Sequence, residues 1–249
     1  KAASVSSVGG NNYTASYVVK AGDSGGTAVS ITATDAEGNA TTQTLASAVT
    51  MDTSAPAVAI TALGGADKVV SGVANDNVVS GTAEANRLVS INAGATVLGS
   101  ATADASGNWS YALTAANLFA LGQGAGKSVT ASQSDAAGNT GSSSAFAFAV
   151  DTVAPAVAIT AVGGADLRVS SVAGDNLVTG AAEANRVVEV LSGATVLGSV
   201  TADATGNWSY ALTPGNISTL QQGSGKAVTA RQTDAAGNTG TASAFSFAV

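Results

Sequence analysis

The chain contains no cysteine and no histidine. Disulfide staples, thiolate nucleophiles, Cys/His zinc sites and histidine acid–base catalysis are therefore excluded. Aromatic residues make up only 4% of the 249 positions, so any core is built from small aliphatic side chains around a few rings. Charge is sparse and unbalanced, with 9 basic against 16 acidic residues and a net charge of −7. Lacking a basic face, the chain does not fit nucleic-acid binding. It also lacks any apolar run of about 18 residues, the length a helical membrane span requires. Proline occurs three times. Alanine, threonine, serine, valine and glycine are abundant, a mixture that suits short strands joined by tight turns.

The dominant feature is an internal repeat. Residues 52–150 and 151–249 align without a gap at a shift of 99, and 70 of the 99 positions are identical. Both copies open D-T-x-A-P-A-V-A-I-T-A, share G-A-T-V-L-G-S, G-N-W-S-Y-A-L-T and D-A-A-G-N-T-G, and end A-F-x-F-A-V. This period far exceeds the 20–50 residues of a solenoid unit, so each copy is expected to be a domain with its own core. Three segments follow: 1–50, the C-terminal part of a truncated module, then modules at 51–150 and 151–249. In the first, T-D-A-E-G-N at 34–39 matches S-D-A-A-G-N at 134–139, whereas 13–19 matches only loosely. That segment lacks the first strands of a module, so an apolar sheet face is expected to be left uncovered. Lys1 reads as lying inside a domain, and the chain as a fragment of a longer protein.

Within the second segment, strand-like runs fall at 57–62, 78–83, 87–93, 96–103, 108–114, 127–134 and 141–150. Alternation places Trp109, Tyr111 and Leu113 on one face, and likewise Phe146, Phe148 and Val150, Val58 and Ile60, and Val89 and Ile91. Residues 115–121 read as a short helix. The expected fold is all-β: tandem Ig-like seven-stranded antiparallel β-sandwiches arranged as an elongated rod. Asp104 and Asp135 each stand three residues before a glycine, which predicts type I turns closing on a left-handed residue. Pro56 and Pro155 stiffen the approach to the first strand of each module.

Up-and-down strand order assigns every loop to one end of a module. The entry end of the second module collects Asp52, Glu84, Asp104 and Asp135, and its far end collects Asp67 and Asp76. The third module repeats this with Asp151, Glu183, Asp203 and Asp234 at its entry, and Asp166 and Asp175 at its exit. Only Glu189 falls in the middle of a predicted strand. Each junction therefore gathers acids from two modules, a mutually repelling set that a hard divalent cation would relieve. Calcium, with its six to eight oxygen ligands in flexible geometry, is the cation that fits. Turn chemistry fully accounts for Asp104 and Asp203. Asp135 and Asp234 share that turn motif but lie nearer the linker, so either role stays open. Asp67, Asp76, Asp166 and Asp175 are either ligands or solvated loop acids. Trp109 and Trp208 read as core residues rather than carbohydrate platforms. The sequons at Asn108 and Asn207 need no glycan, and 122–126 is a glycine-rich loop rather than a phosphate cradle.

The motifs D-T-x-A-P, G-T-A-E-A-N-R, G-N-W-S-Y-A-L-T and T-D-A-A-G-N-T-G resemble the bacterial Ig-like repeats of giant, type I-secreted surface adhesins and biofilm-associated proteins. The resemblance covers 52–249 well and 13–51 in part. It implies calcium at the module junctions, held by Asp52 and Asp151, Glu84 and Glu183, and Asp135 and Asp234. Asp35 and Glu37 would belong to the truncated module's own entry site. The chain departs from the family pattern after the A-E pair, where Arg87 and Arg186 stand close enough to neutralise the acid. The implied function is a non-catalytic stalk at the bacterial cell surface, outside the cell, stiffened by calcium and supporting adhesion or biofilm formation. Its partners would be neighbouring modules of the same chain and, through regions outside this segment, a host surface or biofilm matrix. Two alternatives stay open. The modules themselves bind a glycan or a neighbouring chain, with Phe119 the aromatic candidate and Ser218 in its place in the third module; or the segment is a spacer attached to a secreted enzyme.

Overall fold

A computed structural model describes residues 3–9, 12–45 and 49–249. Lys1, where the truncated module was expected to be cut, lies outside the described residues. The first segment carries β1 (Ser4–Gly9), β2 (Asn12–Ser16), β3 (Gly25–Thr27), β4 (Ser30–Thr34), β5 (Ala40–Thr44) and β6 (Val49–Met51). The second carries β7 (Ala59–Ala62), β8 (Val69–Val70), β9 (Val78–Thr82), β10 (Leu88–Ala93), β11 (Thr96–Thr102), β12 (Asn108–Ala112), α1 (Ala115–Leu121), β13 (Gly124–Ser134), β14 (Thr140–Ser142) and β15 (Phe146–Val150). In the third are β16 (Ala158–Val162), β17 (Leu177–Ala181), β18 (Val187–Ser192), β19 (Thr195–Thr201), β20 (Asn207–Ala211), α2 (Pro214–Leu220), β21 (Lys226–Thr233), β22 (Thr239–Thr241) and β23 (Phe245–Phe247). The all-β expectation holds, and α1 occupies the stretch read as a helix. Thr114 starts it, its Oγ1 accepting the Asn117 N–H while Asn117 Oδ1 accepts the Thr114 N–H.

Backbone contacts gather the chain into two units that cut across the second repeat. One runs up to Thr61 and adds Ser80–Tyr111 and Ser128–Phe146; the other comprises Ala62–Val79, Ala112–Lys127 and Ala147–Val249. In the first unit, β1–β2, β3–β6 and β4–β5 form three antiparallel ladders. Val5, Tyr13, Val18 and Ile31 are exposed there.

The second unit contains the whole third repeat, a two-sheet sandwich. One sheet has the order β16-β17-β20; the other runs β19-β18-β21-β22, with β23 also on β21. Between them lies a core of Val162, Val178, Val188, Val190, Leu212, Val228 and Phe247 around Trp208. The indole crosses Gly180, where a Cβ would fall 2.3 Å from the ring and 2.1 Å from the Ala158 carbonyl. Only glycine allows that approach. Gly81 stands in the same relation to Trp109 in the first unit.

Two features depart from the sequence reading. The last run of each module is two strands, not one. β22 pairs with β21 in the register Thr233–Thr239 and β23 in the register Val228–Phe245, a shift of one residue. An extra residue on one strand bends it, as in a bulge. The second departure is a parallel element in a fold expected to be antiparallel. β8 lies parallel to β15, Val69 opposite Ala149 and Val70 opposite Val150, and a parallel bridge joins Arg168 to Ala248. Two residues are too few to show a periodicity, so this strand was invisible to pattern reading.

Glu189, the mid-strand acid, sits opposite Arg231 in the β18–β21 ladder and is ion-paired to it. The second repeat has Ser90 opposite Ser132 at these positions, bordering a surface groove of about 420 Å³. Both partners of a cross-strand pair have thus changed together between the copies.

Candidate functional site

The acids nominated from sequence can be traced one by one. Asp104 and Asp203 are turn formers, as turn chemistry required. Asp104 Oδ1 accepts the N–H of Ser106 at 2.8 Å and of Asn108 at 2.9 Å, and Gly107 closes the turn at φ +83°. Asp203 Oδ1 does the same with Thr205 and Asn207.

The D-A-A-G-N acids hold the same turn and in addition grip an asparagine. Asp135 accepts the Asn139 backbone N–H on Oδ1 and the Asn139 side-chain amide on Oδ2. Asp35 with Asn39, and Asp234 with Asn238, repeat the arrangement. The asparagine then reaches back to the linker residue that opens its own module. Asn139 Nδ2 donates to the carbonyl of Asp52, and Asn238 Nδ2 donates to the carbonyl of Asp151. Each linker aspartate is thus held through its backbone by the module that follows it. The next residue is tied to the segment before it. Thr53 Oγ1 donates to the Asp23 carbonyl and accepts the Gly22 N–H, while Thr152 exchanges two hydrogen bonds with Gln123.

The remaining candidates are engaged in local structure. Asp52 and Asp151 accept the N–H two residues on, from Ser54 and Val153. Glu84 and Glu183 are held by their backbones rather than their carboxylates: Gln133 and Gln232 each accept the glutamate N–H and donate to its carbonyl. Arg87 lies 4.0 Å from Glu84, the neutralising contact the sequence suggested. Asp67 and Asp166 cap Val69 and Arg168, and Asp76 and Asp175 accept the hydroxyls of Ser71 and Ser170.

Of the nominated acids, Asp67 converges with Asp76 and Asp166 with Asp175. Oδ1 of Asp76 and of Asp67 lie 3.5 and 3.8 Å from where a Cβ on Gly65 would stand, and Asp175 and Asp166 converge in the same way on Gly164. Among the described residues no group of three or more acidic side chains comes together. Among the described residues, side chains that bond between neighbouring repeats include amides and hydroxyls: Asn238, Gln123, Thr53 and Thr152. Sequence reading passed over these because it followed charge. A signal was present for the buried glutamines, since Gln133 and Gln232 occupy the parity of Val129 and Ala131, and of Val228 and Ala230.

Hydrogen bonds to the charged form set the acidity of the turn acids. The Asn139 and Asn39 side-chain amides hold Asp135 and Asp35 below the usual carboxylate range, the Asn108 and Ser106 backbone N–H groups do so for Asp104, and Thr205 does so for Asp203. A carboxyl whose folded pKa is depressed stabilises the fold above its unfolded value, about 3.9, and loses that contribution as pH falls through the lower folded value. The thermal midpoint should therefore be flat from neutral pH down to about 4 and fall below it. Asp104→Asn should remove part of that acid-dependent fall, and a midpoint indifferent to pH between about 2 and 5 would refute the assignment.

Among solved structures the chain is similar to the tetra-tandem repeat in the extending region of a large adhesion protein, with 23% identity, a TM-score of 0.34, and coverage of 94% of this chain and 60% of that one. The chain thus spans less than two thirds of that structure. A 1.5-MDa bacterial ice-binding adhesin is similar at 24% identity and a TM-score of 0.41, over 89% of this chain and 72% of that one. The BSP domain of a biofilm-associated protein gives 19% and 0.30, over 78% and 29%. No curated protein matches the sequence. The bacterial Ig domain model matches residues 64–151 and again 165–248, more than half of the chain, and the chain therefore belongs to the bacterial Ig domain family.

Proposed function

We propose that this chain is a non-catalytic extender segment of a large bacterial cell-surface adhesin, lying outside the cell and holding a distal binding region away from the surface. The observation that carries this reading is the joint. Two bacterial Ig repeats of near-identical sequence follow one another directly, and the two-residue link Asp151-Thr152 is hydrogen-bonded from both sides, to Asn238 and to Gln123. Such a link resists bending without any catalytic group in attendance. Contact with a host surface or biofilm matrix falls to regions outside this segment. Deleting one repeat from the full-length protein should reduce attachment of cells while leaving binding by the isolated distal region intact; unchanged attachment would remove the extender role.

Calcium enters this proposal at the carboxylate pairs. Asp67 with Asp76, and Asp166 with Asp175, each offer two carboxylates across a glycine, and water and backbone carbonyls would complete the shell. Two carboxylates suit the weak end of calcium affinity, about 10⁻⁴ to 10⁻³ M for extracellular modules. Millimolar calcium should raise the melting temperature and the maximum dimension in X-ray scattering relative to chelator. Identical values in both buffers would eliminate calcium and leave the hydrogen-bonded joint standing.

Ligand binding by the repeats themselves is favoured by one observation, Phe119, which is 91% exposed. It is a single ring on α1, and Ser218 replaces it in the third repeat. An isolated apolar side chain is ordinary on protein surfaces, so the extender reading is the stronger.

A further inference from the structure

Asn238 is 6% exposed, and its side chain touches three parts of the chain at once. Oδ1 accepts the N–H of Gly72 at 2.8 Å, while Nδ2 donates to Asp234 Oδ2 and to the Asp151 carbonyl, both at 2.9 Å. Gly72 belongs to the second repeat, Asp151 to the link, and Asp234 to the third repeat. Next to Asn238, Gly237 lies at φ +90°, and a Cβ placed on it would stand 2.7 Å from Cγ2 of Val73. The valine of one repeat thus occupies the space that any side chain at the glycine of the next would need.

We infer that the tip Gly72-Val73 is an interaction surface whose partner is the D-A-A-G-N turn of the following repeat, a keyed joint that forms without metal. Across the joint the hydrogen bond runs from a backbone amide to a side-chain amide and the fit is hydrocarbon to glycine, while Asp76 acts within its own repeat by accepting the Ser71 hydroxyl. The tip is shaped by its own repeat before it meets a partner. Val73 N–H donates to Ser71 Oγ at 3.1 Å, and in the third repeat Val172 N–H donates to Ser170 Oγ at the same distance. Asparagine at the centre suits this role because it offers an acceptor and two donors on one short side chain, and all three are used. The inference rests on the extender reading only for its purpose, and the contacts are independent of calcium.

The two turn glycines provide a matched test. Gly138 and Gly237 have φ of +91° and +90°, so alanine strains the backbone equally at both, but a Cβ on Gly138 meets nothing within 4 Å. In the 249-residue chain, Gly237→Ala should speed hydrogen exchange at the Gly72 amide by roughly tenfold or more and broaden the relative alignment of the second and third repeats in residual dipolar couplings. Gly138→Ala should change neither. Adding Val73→Ala to Gly237→Ala should restore protection of Gly72. Should Gly237→Ala fail to fold, Val73→Phe places bulk on the receiving side of the joint, outside the third repeat, and should loosen it in the same way. Each result should be the same in chelator as in calcium. Equal behaviour of the two glycine variants would overturn the keyed fit, and loss of Gly72 protection in the unaltered chain on chelation would overturn its metal independence. That second outcome would support calcium instead, so failure of this inference and failure of the calcium proposal are separable.

Discussion

Replacing Trp208 by alanine should destabilise the third repeat by about 3–5 kcal/mol. The indole is 4% exposed and is the largest side chain in a core otherwise made of valine, leucine and alanine with the smaller ring of Phe247. With few aromatics in the chain, the neighbouring side chains are too small to collapse into the space it would leave. The facing residue is Gly180, which has no side chain to swing inward. Cavity cost therefore adds nearly in full to the lost transfer free energy. Trp208→Phe should cost less, since the indole N–H has no hydrogen-bond partner that the phenyl ring would forfeit. Equilibrium urea unfolding of the chain, compared with Trp109→Ala in the second repeat, measures both. A loss below about 1 kcal/mol for Trp208→Ala would mean that the sandwich does not depend on this ring.

The second large effect is expected at Gln232. This side chain is 1% exposed, and it closes a two-way bond with the backbone of Glu183, accepting its N–H at 2.8 Å and donating to its carbonyl at 3.0 Å. Gln232→Leu keeps the approximate volume but leaves both backbone groups without their partner. Such orphaning costs about 1–3 kcal/mol, more than the net worth of an ordinary hydrogen bond. Exchange at the Glu183 amide should rise in the variant. Glu183→Ala, which keeps the backbone and removes the carboxylate, should leave that amide protected. Were Glu183→Ala the more damaging of the two, the carboxylate would matter and the backbone grip would not.

How far the sequence carried the reading differs from residue to residue. Trp109, Val89 and Ile91 declared themselves by alternation, because a strand with one buried face must repeat every second residue. Asp104 and Asp203 were legible as turn formers because aspartate followed by glycine three residues later is local chemistry. The parallel pair Val69–Ala149 was not legible, since its partners are about 80 residues apart and the strand is two residues long. Nor was the one-residue register shift between β22 and β23, which depends on how two strands meet rather than on either alone.

The acids show the same division most clearly. Loop parity correctly brought the tip near Asp76 to the turn near Asp234, because up-and-down strands leave loops at alternate ends. Charge then suggested carboxylates as the joining groups, and the tertiary structure instead placed Asn238, Gln123 and Thr152 across the link. A carboxylate offers only acceptors, whereas the groups to be satisfied at the link are both N–H and C=O. What the sequence by itself determined is the repeat, the all-β sandwich and the Asp–Gly turns, all of which are written in short-range pattern and internal identity. Only the tertiary structure decided which groups meet at the joint, because that depends on residues such as Gly72 and Asn238, 166 positions apart, being carried to the same place by two separate repeats.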